Sequence, residues 1–249
     1  MAIQIQDLHY AYHEHASVFK NLSLTIPDRA RTLLVGANGV GKSTLLRLLG
    51  GYHLVSAEAI QIYGASPFHQ PSLMSDIAFV DGEFPITLDL RVHELTAHGR
   101  DYVDERKETE LLKLLEIDLN WRMHQVSDGQ RRRVQLMLAL RRKIRLLLLD
   151  EVTTHLDVLV RSDFLAWLKD ANEKEGLSIV YTTHIFDGLW TRNESPWPTH
   201  LCFLKKGALH LMKPVGEIPE LAQAIANGEP SPLLSLCERW MRMDLKKTL

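Results

Sequence analysis

The stretch Gly36-Ala37-Asn38-Gly39-Val40-Gly41-Lys42-Ser43-Thr44 constrains this chain more than any other. It follows the short β run "RTLLV" and opens the helical pattern "KSTLLRLLGGY", which closes at Gly50-Gly51. Glycines let the backbone wrap closely on itself, so that several N–H groups point inward. The positive end of the following helix adds its own attraction for anions. The spacing fits G-x-x-x-x-G-K-[ST] in the strand–loop–helix setting that the motif requires, so the loop is predicted to cradle phosphates. Lys42 is then placed to reach β- and γ-phosphates, and the Ser43 hydroxyl to ligate Mg²⁺.

A second motif supplies the carboxylates. "LLLLDE", Leu146 to Glu151, reads as a buried strand that delivers Asp150 and Glu151 at its carboxyl end, where α/β sheets bind ligands. Asp150 is expected to hold Mg²⁺, through water, and Glu151 to activate or orient the attacking water. Together the two motifs predict a nucleotide site, for ATP or GTP. A third stretch, Val126-Ser127-Asp128-Gly129-Gln130, ends twenty residues before Asp150 and opens a helix. Ser127 and the backbone around Gly129 form another anion-ready helix start, although Ser and Asp there also serve as plain caps.

The remaining pattern is α/β with a helical stretch in its middle. "AIQIQDLHYAY" and "LSLTI" read as early strands, "AIQIYG" and "DIAFVDG" as two more. From about Leu90 to Lys143 apolar spacing turns to three and four, as in "ERKETELLKLLEIDL". "LSIVYTTH" is a buried strand, "VLVRSDFLAWLKDANEKEG" a helix ended by Gly176, and "THLCFLKKGALHLM" a hairpin turning at Lys206-Gly207. "GEPSP" precedes a C-terminal amphipathic helix whose stripe Leu233, Leu236, Trp240 and Met241 reads most simply as core packing, with partner docking as the alternative.

Bulk properties narrow the class. With 249 residues, 45% hydrophobic and 24% charged, the chain is an ordinary globular one. A net charge of -2 gives no general drive toward nucleic acid or anionic membrane. Cys202 and Cys237 form no framework, as expected of a reducing compartment. No signal pattern is visible, and no run approaches the roughly 20 apolar residues that span a bilayer. The basic residues Arg131, Arg132, Arg133, Arg141, Arg142, Lys143 and Arg145 read as a solvated helix face rather than a nucleic-acid surface, since no aromatic interleaves them.

Taken in order, these motifs resemble those of the ABC-type ATPases over roughly residues 2 to 212. Residues 126–130 are similar to that family's signature, which lies shortly before the acidic strand. The resemblance implies a P-loop NTPase fold with a RecA-like core, an antiparallel β subdomain and an inserted helical subdomain. It implies an ABC ATPase domain over 1–212, with the helical subdomain at about 86–143, and a C-terminal helical extension over 213–249. It further implies a soluble ATP hydrolase that forms a head-to-tail homodimer on ATP binding. In that dimer Ser127, Gly129 and Gln130 of one copy cap the γ-phosphate held by Gly36, Asn38, Gly39, Gly41, Lys42, Ser43 and Thr44 of the other. Thr154-His155-Leu156-Asp157 corresponds to the D-loop at the dimer interface, and His184 to the switch histidine on the γ-phosphate. Tyr12 falls where the family stacks an aromatic on adenine, with Tyr10 as the alternative.

A narrower likeness is to the stand-alone, non-intrinsic ABC proteins of fungi and plants, carried by "NWRMHQVSDGQRRRVQL", "LLLLDEVTTHLDVLVRSDFLAWLK", "IVYTTHIFDGL" and "WPTHL". It implies a soluble protein partner, of the kind found in a transcription and mRNA-deadenylation co-regulator complex, and a cytoplasmic or nuclear setting. The chain departs from transporters after "IAFVD". There the family carries a Gln that touches Mg²⁺, whereas Asp81-Gly82-Glu83 stands here and no Gln occurs from Ser72 to His124. Glu83 is either a substitute at the metal or part of a surface turn. The departure argues against the alternative, a nucleotide-binding subunit of an ABC transporter working with a separate permease, without removing it.

Overall fold

Residues 1–13, 16–82, 84, 89–190 and 195–246 are described in the structure, a computed structural model of the chain. The elements begin with β1 (Ile3–Ala11), β2 (Ser17–Ile26), β3 (Arg31–Val35), α1 (Lys42–Leu49), β4 (Ile60–Ile62) and β5 (Ile77–Val80). Then come α2 (Val92–Ala97), α3 (Glu105–Leu114), α4 (Asp128–Leu140), β6 (Leu146–Asp150), α5 (Val158–Glu175) and β7 (Ser178–Thr182). The chain closes with β8 (His200–Lys205), β9 (Ala208–Pro214), α6 (Pro219–Ala226) and α7 (Pro232–Lys246).

Strands β3, β6 and β7 are buried along their whole length, which is why they read as continuous apolar runs. They lie inside a sheet ordered β5-β6-β7-β3-β8-β9, parallel except for β9 at one edge. Alternate side chains enter two separate cores. Leu33, Leu147, Leu149, Ile179 and Tyr181 join a cluster with Val134 and Met137 of α4, Phe164 and Leu168 of α5, and α7. Leu34, Leu146, Leu148 and Val180 join α1 and the antiparallel sheet β2-β1-β4 through Leu45, Leu49, Ile3, Phe19 and Ile60. The α/β fold with an antiparallel β subdomain is thus the one the motifs imply, with helices α2 to α4 inserted between β5 and β6.

The topology sets four strand ends side by side. The glycine loop leaves β3, Asp150 ends β6, Thr182 ends β7, and Asp81 follows β5, all at the carboxyl edge of neighbouring parallel strands. The hairpin turns where expected, with Lys206 at φ 49 and Gly207 at φ 72, the doubly left-handed geometry of a two-residue turn. Helix α6, which opens on Pro219, lies ahead of the GEPSP segment, where the sequence pattern placed no helix.

The C-terminal stripe is core. Leu233, Leu236, Cys237 and Trp240 are buried, and the Trp240 ring stacks on Phe203 with centroids 5.2 Å apart. Burial pushes the thiols of Cys202 and Cys237 up to about 12, so both stay protonated and inert. No helix among the described residues is long and apolar enough to cross a membrane. Trp240→Ala should cost about 3–5 kcal/mol of stability in urea unfolding, and a loss under about 1 kcal/mol would remove α7 from the core.

Candidate nucleotide site

The glycine loop is seated before it is functional. Gly41 stands at φ 105, and a Cβ there would lie 2.8 Å from side-chain carbons of both Val18 and Phe19 on β2. Only a residue without a side chain fits that turn. Val40 is buried and anchors the loop, while Asn38 and Gly39 are exposed at its tip. Lys42 Nζ donates to the carbonyls of Gly36 at 2.8 Å and Ala37 at 3.2 Å, so the ammonium lies across the loop. Burial lowers the Lys42 pKa, and the charges of Glu151 and Asp150 act the other way. Ser43 is exposed on the first turn of α1. Thr44 is buried, with Oγ1 3.1 Å from the Tyr12 hydroxyl. Tyr12 and Tyr10 meet edge to face, and both rings contact His53, which follows α1. Sequence reasoning missed His53, whose only signal was its place just beyond the Gly50-Gly51 stop.

The carboxylates arrive on a cross-strand bond. Asp150 is paired in register with Thr182, whose hydroxyl donates to Asp150 Oδ1 at 2.6 Å. The same Thr182 accepts the Glu151 N–H, at its carbonyl (3.0 Å) and its Oγ1 (3.2 Å). Glu151 itself is left-handed at φ 54, a strained setting for a residue with a side chain. Its Oε1 lies 2.8 Å from His184 Nε2, in the loop just past the end of β7, and both side chains stay partly open to solvent. Lys42, Asp150, Glu151 and His184 are therefore brought to one sheet edge from three different strand ends.

The start of α4 is satisfied within the subunit. Ser127 Oγ accepts from the Gln130 N–H at 3.2 Å, and Gln130 Oε1 accepts from the Ser127 N–H at 2.9 Å. This reciprocal cap explains the Ser and the Gln of the pentapeptide locally. Gly129 has its own reason, since a Cβ there would lie 2.6 Å from the backbone oxygen of His155. The segment Thr154 to Asp157 thus packs directly on the helix start. Asp157 caps α5 by accepting from the Val160 N–H at 3.0 Å, and its carboxylate also pairs with Arg133. The Val160 N–H, with the Arg133 charge behind it, holds the Asp157 carboxyl below the usual carboxylate range.

Residues 19–154 match the ABC transporter family. Over 253 residues the chain is 39% identical to CCR4-associated factor 16 of Saccharomyces cerevisiae, covering 92% of this chain and 85% of that protein. This chain belongs to the ABC ATPase family. It is also 38% identical over 259 residues to ABC transporter I family member 21 of Arabidopsis thaliana, covering 98% of this chain and 87% of that one. Plant and fungal relatives both appear, as the narrower likeness implies. Among solved structures, a dimeric ATP-binding cassette in a post-hydrolysis state with ADP and phosphate superposes with a TM-score of 0.69. It covers 86% of this chain and 98% of that one at 22% identity, a likeness of fold. As an ABC ATPase the chain is an ATP hydrolase.

One expectation needs correcting in this ABC ATPase. The basic run is not simply a solvated helix face, because Arg132 and Arg141 are buried. Arg141 donates to the Thr96 carbonyl at 2.8 Å and the Glu108 carboxylate at 2.9 Å. Arg142 donates to the carbonyls of Ser75 and Ile77, each at 2.5 Å. Arg132 forks onto the carbonyls of Asp81 and, at 2.5 Å, Gly82. A guanidinium offers five donors in a plane, enough to satisfy loop carbonyls that have no strand partner. Glu83, read as either a substitute at the metal or part of a surface turn, lies outside the described residues.

Gly129→Ala should destabilise the fold by about 1–3 kcal/mol in denaturant titration, because the clash falls on backbone rather than on a side-chain tip. A change within about 0.5 kcal/mol would show that the contact with His155 yields freely.

Proposed function

We propose that this ABC ATPase binds Mg-ATP between two copies arranged head to tail. The loop of one copy, through Gly36, Asn38, Gly39, Gly41, Lys42, Ser43 and Thr44, holds the phosphates, with Tyr12 against the adenine. Ser127, Gly129 and Gln130 of the second copy cap the γ-phosphate, and Asp157 lies at the seam between them. Ser43 and Asp150 fit Mg²⁺. The ion commonly keeps its waters and takes one or two protein groups plus the phosphates, and among the described residues no cluster of three or more His, Cys, Asp or Glu stands ready to enclose it. When bound, Mg²⁺ neutralises charge that builds on the phosphate oxygens. A water oxygen bonds to the γ-phosphorus as the bond to the bridging oxygen of ADP breaks, and Glu151 accepts the water's proton.

The observation that carries this reading is the 2.8 Å contact between Glu151 and His184 at the sheet edge that also presents Lys42. It gives the general base an orienting partner, which is the arrangement that hydrolysis requires. Glu151→Gln should retain ATP and accumulate as a dimer in light scattering after gel filtration. A strictly monomeric variant in saturating Mg-ATP would sink the dimer.

The cycle of closure and reopening changes the shape that the subunits offer to a soluble protein partner in the cytoplasm or nucleus. One relative's name, CCR4-associated factor 16, records an association with CCR4 for that protein. A protein rather than a nucleic acid is favoured because Arg132, Arg141 and Arg142 already give donors to backbone carbonyls. One observation speaks for a second reading, a subunit that serves a separate permease. Tyr52, Met74, Phe79, Ala139 and Arg142 line a cavity of about 500 Å³, with Tyr52 largely exposed, fit to receive a docking helix. A pull-down of tagged Glu151→Gln from detergent-solubilised cells separates the two. Soluble partners alone are expected, and a stoichiometric, ATP-dependent integral membrane protein would establish the permease instead.

A further inference from the structure

The turn Asp81–Gly82 sits between α1 and α4. It continues β5, which pairs with β6 in a register that sets Val80 beside Leu149, so the turn runs alongside Asp150 and Glu151. From one side Arg47 of α1 approaches the Asp81 carboxylate at 3.8 Å, a weak and partly exposed pair. From the other side the buried fork of Arg132 grips both carbonyls of the turn, and Gln135, one helical turn further along α4, adds a bond of 3.4 Å to Asp81. Arg132 also donates to the side chain of Gln135, so the fork is braced in place. α1 opens at the phosphate loop, and α4 opens at Ser127, five residues before Arg132.

We infer that Arg132 is a positioning residue that couples the two nucleotide sites of the dimer, by tying the helix whose start caps one nucleotide to the turn beside the carboxylates that act on the other. The inference rests on the head-to-tail reading above. When the start of α4 engages a γ-phosphate of the opposite copy, any shift of the helix is carried through a two-point grip to the strand end next to Glu151. A planar fork can transmit such a shift because it resists rotation about either bond, whereas a single ammonium would pivot. Coupling of this kind is reciprocal, so occupancy of one site favours closure at both. Arg132 acts through the carbonyls of Asp81 and Gly82 alone.

The test is a comparison of Arg132→Ala and Arg132→Lys with the unaltered full chain. ATP turnover is followed against ATP concentration, ATP affinity of the separated subunits by fluorescence, and folding by thermal melting. The unaltered chain should show a Hill coefficient near about 2, the number of coupled sites. Arg132→Ala should fall toward about 1, with turnover at saturation lowered on the order of tenfold and single-subunit ATP affinity unchanged. Arg132→Lys keeps the charge but not the fork, and should behave like the alanine variant in cooperativity. If the alanine variant does not fold, the lysine variant decides alone. A folded variant with undiminished cooperativity and turnover overturns the coupling role. So does an unaltered chain whose turnover is non-cooperative while Glu151→Gln still dimerises, and then the head-to-tail reading survives. A Glu151→Gln chain that stays monomeric overturns the reading itself, and the inference with it.

Discussion

One hydroxyl holds the site together. Thr182 donates to Asp150 across the β6–β7 pair and accepts the N–H of Glu151, so a single side chain holds the carboxylate of one and the backbone of the other. That bond exists only because the two strands are in a register that places Thr182 opposite Asp150. The register in turn is fixed by burial on both faces, since a slip of one residue would exchange the contents of the two cores. The packing of Leu147 and Leu148 into opposite cores is therefore a condition for the placement of Asp150.

The glycine loop and the acidic strand were legible because their information is local. The spacing of Gly36 and Gly41 and the lay of Lys42 across the loop follow from a few consecutive residues. Buried strands announce themselves by composition, and the β8–β9 turn by a single Lys-Gly pair. What could not be read were contacts between segments distant in sequence. Nothing in "VSDGQ" says that Gly129 must lie against the carbonyl of His155, twenty-six residues on. Nor does a run of arginines reveal which carbonyls each will meet, since Arg132 forks onto the Asp81–Gly82 turn while its neighbour Arg131 reaches back to the Met123 carbonyl at 3.4 Å. Thr182 was invisible for the same reason, a polar residue closing an apolar run with its partner on another strand.

Several residues read for one purpose thus have a second. Ser127 and Gln130 form a reciprocal cap, Gly129 admits the chain that follows β6, and Asp157 caps α5 while paired to Arg133. On the head-to-tail reading, requirements of stability and of phosphate recognition fall on the same atoms. Substitution at such positions confounds the two, so a lost activity there is informative only beside a measured fold.

The reciprocal cap at the start of α4 has a consequence for how two copies meet. Because Ser127 and Gln130 satisfy each other inside one subunit, this surface is already ordered before any partner arrives. Association then surrenders rigid-body freedom but little loop entropy, and a preorganised face gives up less affinity to ordering than a flexible one. On the head-to-tail reading, the grip between copies rises and falls with the charge and shape of the nucleotide alone. The lifetime of the closed state becomes a clock set by the chemistry it encloses.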